Sequence, residues 1–105
     1  MASTPEGKVK EACKKFLKAR GAWYFMPVSN GMGQVGIPDI ICCYRGKFVA
    51  IETKAPGKKG NVTPNQKRAI EDIQGAQGFA WVVDDPSDLD ALFTAIDVSL
   101  RLESP

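Results

Sequence analysis

GIPDIICCYRGKFVAIETK, residues 36–54, is the stretch that decides the fold. It holds two runs rich in apolar and β-branched residues, Ile37–Tyr44 and Lys47–Thr53, separated by Arg45-Gly46. Such runs around a two-residue turn containing glycine predict a β-hairpin. With the turn at Arg45-Gly46, Tyr44 faces Lys47, Cys43 faces Phe48 and, at the open end, Asp39 faces Glu52. Facing side chains share one side of a sheet, with Cβ atoms ~4.5–5.5 Å apart. Lys54, two residues beyond Glu52, falls on that side as well. Two carboxylates placed opposite one another destabilise a sheet unless a cation compensates. Lys54 can be that cation, and so can a hard divalent ion, which takes carboxylate oxygens together with waters and phosphate oxygens. Pro38 has no N–H to give to a ladder and marks a strand start or an edge, which leaves this end of the hairpin open. Scattered surface residues with a solvated lysine are the bland alternative. That account suits any one of the three better than all three in this register.

Outside the hairpin the chain alternates helices and strands. Thr4-Pro5 opens a helix with Thr at the N-cap and Pro at its first position. Val9, Ala12, Cys13, Phe16 and Leu17 form its apolar stripe, and Arg20-Gly21 closes it. Trp23–Val28 reads as a strand. Ser29–Gly36 is a glycine-rich loop, either a connector or a segment that approaches a backbone phosphate closely. After a Gly/Pro/Lys loop at 55–62, Thr63-Pro64-Asn65-Gln66 reads as a capping box opening a helix that ends at Gly75. Phe79–Val83 is a continuous apolar strand, expected at the centre of the sheet. Ser87 is expected to cap a last helix carrying Leu89, Leu92, Phe93 and Ile96, with a frayed tail from Arg101. The order α-β-β-β-α-β-α predicts an α/β fold in which the helix before Phe79 allows a parallel strand pair. Residues 1–105 are expected to form a single domain.

Composition narrows the chemistry. The chain has 105 residues, no histidine and three cysteines without a C-x-x-C spacing. That removes Ser-His-Asp and Cys-His nucleophile systems, His-ligated zinc and a disulfide framework. Cys13, Cys42 and Cys43 read as small buried thiols in a reducing cytoplasm. No stretch is long and apolar enough to span a bilayer, and the N-terminus lacks a secretory h-region. The net charge of +2 conceals an asymmetry, with 11 Lys/Arg against 4 Asp/Glu in residues 1–60 and 3 against 8 in residues 61–105. A basic half of this kind suits a polyanionic partner. An ordinary solvated helix face is the alternative for the lysines of the first helix.

Gly36-Ile37-Pro38-Asp39 followed by Ile51-Glu52-Thr53-Lys54, with a Thr-x-x-Gln helix start soon after, resembles the PD-(D/E)XK nuclease superfamily. Within it the short gap and the Gly-x-Pro-Asp form are similar to the virus-type replication-repair nuclease (VRR-NUC) branch, in its stand-alone phage type. The resemblance runs from about Glu6 to Val83. It implies a restriction-endonuclease-like core, a mixed sheet of about four strands flanked by helices. It also implies Mg²⁺- or Mn²⁺-dependent hydrolysis of DNA phosphodiesters. Asp39 and Glu52 would be metal ligands, joined by the backbone carbonyl of Thr53, and Lys54 would orient or help deprotonate the attacking water. An acidic residue on the first helix belongs to the pattern. Glu6, about 60° from the centre of the apolar stripe, fits better than Glu11, about 160° away. Glu6 also suits a plain first-turn charge at the helix dipole. Gln66 fits the catalytic set and the capping box equally. The chain departs from the branch in Trp23-Tyr24-Phe25-Met26-Pro27, where a basic residue is often found.

Lys8, Lys10, Lys14, Lys15 and Lys18, with Lys58 and Lys59, are expected to contact DNA phosphates. The resemblance further implies a homodimer acting on branched or flapped duplex, with four-way junction resolution in bacterial or phage-infected cytoplasm as the preferred substrate reading. Two other readings stay open, a non-catalytic DNA-binding or assembly module and a sequence-specific restriction-type endonuclease.

Overall fold

The computed structural model describes residues 4–28 and 35–103. Its elements are α1 (Pro5–Arg20), β1 (Trp23–Phe25), β2 (Ile40–Tyr44), β3 (Lys47–Thr53), α2 (Pro64–Gly75), β4 (Phe79–Val83) and α3 (Asp88–Glu103). One four-stranded sheet runs in the order β1-β2-β3-β4, antiparallel except for the parallel β3–β4 pair. The mixed α/β expectation is met.

The hairpin register is the expected one, with Tyr44 opposite Lys47 and Ile40 opposite Ile51. Both turn residues have positive φ, 51° at Arg45 and 82° at Gly46, as a type I′ turn requires. β1 and β2 are shorter than the apolar runs that suggested them. The reason is the same on both strands: Pro27 and Pro38 have no N–H, so the ladder stops at Phe25 and begins at Ile40.

Alternation divides the sheet into two faces. Cys42, Val49 and Ile51 are buried in a core with Val9, Cys13 and Leu17 of α1 and Leu89, Phe93 and Ile96 of α3. On the other face α2 packs over the β3–β4 half, where Gln74 Nε2 donates to the Ala80 carbonyl at 3.0 Å. This explains the misplaced expectation for Phe79–Val83. β4 is an edge strand, and its apolar run reflects helices on both faces rather than strands on both sides. On the same face as α2, Trp23 of β1 is 65% exposed, Phe25 of β1 46% and Phe48 of β3 47%.

α1 opens as expected, with Thr4 Oγ1 accepting from Gly7 N and Gly21 left-handed at the C-terminus. α3 differs in two details. The Ser87 hydroxyl donates to Asp85 Oδ1 at 2.8 Å instead of capping the helix. The helix continues to Glu103, whose carboxylate lies 3.4 Å from Lys47 Nζ. At the hairpin-turn end, Asp97 accepts from Tyr44 Oη and Arg45 Nη1 on one oxygen and Arg20 Nη2 on the other, tying α1, the hairpin and α3 together. Residues 29–34 of the glycine-rich loop lie outside the described residues. Gly36 does make a close approach, but to protein: a Cβ there would stand 2.5 Å from Asn65 C and O in the first turn of α2.

Candidate active site

Asp39 stands just before β2 and Glu52 near the end of β3, at the end of the hairpin away from its turn. The Asp39 carboxylate spans the ladder gap that Pro38 leaves. Its Oδ2 accepts from Thr53 N at 2.9 Å and Thr53 Oγ1 at 2.8 Å. Its Oδ1 faces Lys10 Nζ of α1 at 3.7 Å.

Thr53 N–H therefore points to the β2 side, whereas Lys54 N–H points to β4, where it donates to the Val83 carbonyl. The N–H and C=O of one strand residue leave by the same edge, so the Thr53 carbonyl also faces the β2 side. In this register its ladder donor would be Pro38, which has none to give.

Glu52 is 3% exposed. Its Oε2 accepts from Gln66 Nε2 at 3.1 Å and lies 3.6 Å from Lys54 Nζ. Its Oε1 is buried with no hydrogen-bond partner among the described residues. Burial pushes the Glu52 carboxyl up to about 7, the neighbouring Asp39 charge pushes the same way, and the Lys54 ammonium opposes both. Such an arrangement of two neighbouring acids leaves one buried carboxylate oxygen without a donor among the described residues. A divalent ion fits it: two carboxylates and a carbonyl whose ladder position offers no donor are hard oxygen donors on one sheet end, and Mg²⁺ needs no more from protein when waters and phosphate complete its shell.

Gln66 closes the capping box and also hydrogen-bonds to Glu52 and Lys54. Its backbone N–H donates to Thr63 Oγ1, and its Oε1 accepts from Thr63 N at 3.0 Å, closing the capping box. The same Oε1 accepts from Lys54 Nζ at 3.0 Å while Nε2 holds Glu52. The α2 cap is thereby the clamp that sets the lysine beside the glutamate.

Asp39, Glu52, Thr53, Lys54 and Gln66 thus come together. Glu6 does not join them: among the described residues no three His, Cys, Asp or Glu side chains form a metal-binding group, and Glu6 makes no ion pair. Lys10, one turn further along α1, reaches Asp39 instead. Its signal was present in the helix period, because a residue four positions on lies only about 40° around the axis from Glu6. Of the expected phosphate contacts, Lys14 is paired with Glu11 at 3.0 Å and Lys59 with Asp88 at 3.4 Å. Lys8, Lys15, Lys18 and Lys58 are exposed, with no acidic partner among the described residues. A groove of about 640 Å³ lies further along the same sheet face, lined by Ile37, Ile41, Phe48 and Ile73, and includes neither carboxylate.

No protein-family model matches the sequence, and no curated protein matches it. A solved structure described as a VRR_NUC domain does match, with a TM-score of 0.70 and 25% sequence identity over 88% of this chain and 97% of that one. The chain has the VRR-NUC fold. The similarity carried by Pro38-Asp39 and Glu52-Thr53-Lys54 is therefore matched by the architecture, that of a nuclease-domain family. In this VRR-NUC fold the hairpin supplies the two acids and the lysine, and α2 supplies the glutamine that holds Glu52 and Lys54.

Proposed function

We propose that this chain is a metal-dependent deoxyribonuclease that hydrolyses phosphodiester bonds. The observation that carries the reading is the buried, unpartnered Oε1 of Glu52 in a pair of carboxylates that share a lysine-bearing sheet end. Asp39, Glu52 and the Thr53 carbonyl would hold Mg²⁺ or Mn²⁺. When bound, the ion supplies Lewis-acid polarisation of the phosphoryl group and lowers the pKa of water. Lys54, kept in place by Gln66 Oε1, orients the attacking water or takes part in its deprotonation, and offsets charge building on phosphorus. The unpaired lysines of α1 and Lys58 bind backbone phosphates without reading sequence.

The substrate side of the reading is branched or flapped duplex, with four-way junctions preferred, cut by a homodimer in bacterial or phage-infected cytoplasm during recombination or repair. A small protomer with few base-reading elements suits recognition of shape. The open apolar strip of Trp23, Phe25 and Phe48 is surface of the kind that a two-fold partner covers.

Four-way junction, flapped duplex and linear duplex are incubated with wild type, Asp39→Ala and Lys54→Ala in Mg²⁺ or Mn²⁺. Wild type should cut the branched substrates, and both variants should lose at least about a hundredfold in rate. Equal cutting by the variants refutes the site, and DNA binding without cleavage by wild type identifies a non-catalytic module. Discrete fragments from linear DNA would instead indicate a sequence-specific enzyme.

A further inference from the structure

The two oxygens of Asp39 are in different situations. Oδ2 is saturated by the Thr53 amide and hydroxyl, whereas among the described residues Oδ1 has its ion pair with Lys10, at 3.7 Å. The two lysines of the site differ in the same way. Lys54 is 11% exposed and held by both Gln66 and Glu52, while Lys10 is 28% exposed and, among the described residues, paired with Asp39 only. Lys10 therefore meets its carboxylate beyond hydrogen-bond distance, on a flexible four-carbon stem. The backbone beneath it is fixed, since Val9 and Cys13 on either side of it are buried in the core.

We propose that the Lys10 ammonium is a tethered stand-in for the divalent ion. Without an ion it neutralises Asp39 Oδ1; when an ion takes that oxygen, Lys10 is displaced and its charge passes to a phosphate oxygen of the bound DNA. This inference rests on the nuclease reading. Its physical basis is exchange of like for like. A carboxylate oxygen beside a second acid needs positive charge at all times, and the cation with fewest other bonds is the one that leaves. The released ammonium stays within a side chain's length of the site, repelled by the ion and drawn to the substrate's anionic backbone. Lys10 is thus a positioning residue before substrate binds and a phosphate contact afterwards.

The test uses Lys10→Met, which keeps the apolar stem, and Lys10→Arg, which keeps the charge. Mn²⁺ binding to the DNA-free protein is measured by calorimetry, and junction cleavage at saturating Mg²⁺ is measured in parallel. Lys10→Met should bind Mn²⁺ about two- to fivefold more tightly than wild type, the affinity equivalent of a partly exposed ion pair. The same variant should raise KM for DNA, and Lys10→Arg should move both quantities back towards wild type. Unchanged Mn²⁺ affinity in Lys10→Met, or an unchanged KM, overturns the inference while leaving the nuclease reading intact. Failure of wild type to bind Mn²⁺ or to cut overturns both.

Discussion

Raising the pH from 5 to 8 in the presence of EDTA should destabilise this protein, and Glu52 is the reason. Its carboxyl is pushed up from 4.5 to about 7, chiefly by burial. Between those values the folded state keeps a proton that the unfolded state has released. Stability falls with pH wherever the folded state binds more protons. The contribution is fully present below about 4.5 and is lost as the pH passes through about 7. At about 1.4 kcal/mol per tenfold change in proton activity, the whole window is worth roughly 3 kcal/mol. The window is unusually clean because the chain has no histidine. The assay is urea denaturation at intervals from pH 5 to 8.5, comparing wild type with Glu52→Gln, which cannot ionise. Wild type should lose stability across the range and Glu52→Gln should stay nearly flat. Mg²⁺ or Mn²⁺ favours the ionised form, so either ion should stabilise wild type more at pH 8 than at pH 5.5. A wild-type curve that is flat or rising between pH 5 and 8, or an equal slope in Glu52→Gln, would refute the reasoning.

Two further perturbations probe how α2 is coupled to the site. Gly36→Ala places a Cβ 2.5 Å from the Asn65 backbone at a φ of +80°, and should cost about 2–5 kcal/mol in urea unfolding. It should also slow cleavage, because Gln66 is the next residue in the displaced turn; stability within about 0.5 kcal/mol of wild type would rule out the close approach. Gln66→Ala removes half of a capping box, worth about 1 kcal/mol of stability. Its cleavage rate should nevertheless drop at least about tenfold at a temperature where the variant is fully folded, since Lys54 and Glu52 lose their common partner. Cleavage at the wild-type rate would confine Gln66 to the cap.

Much of this molecule was legible in residues 36–54, because local rules act strongly there. A two-residue turn with glycine sets the register that runs from Tyr44 opposite Lys47 to Ile40 opposite Ile51. Carried one position further, the period of two brings Asp39 opposite Glu52, with Lys54 on the same side, without reference to the rest of the chain. The capping boundaries of α1 and α2 were legible for the same reason: Thr, Pro and glycine act within one turn of their own position. Strand order was not legible. The apolar run Phe79–Val83 reports that both faces are covered, and helices can cover them as well as strands can place the run at the centre, so β4 proved to be an edge. Nor could pattern choose between the two jobs of Gln66, and the choice it made on α1, Glu6 over Glu11, left out Lys10, the residue that pairs with Asp39. Those outcomes depend on how α1 and α2 dock against the sheet, which is set by packing among residues far apart in the chain. The sequence by itself determined that two acids and a lysine share one end of a hairpin. Only the tertiary structure decided which charges from the helices complete them, because a side chain's partner across elements is chosen by the geometry of the packed core.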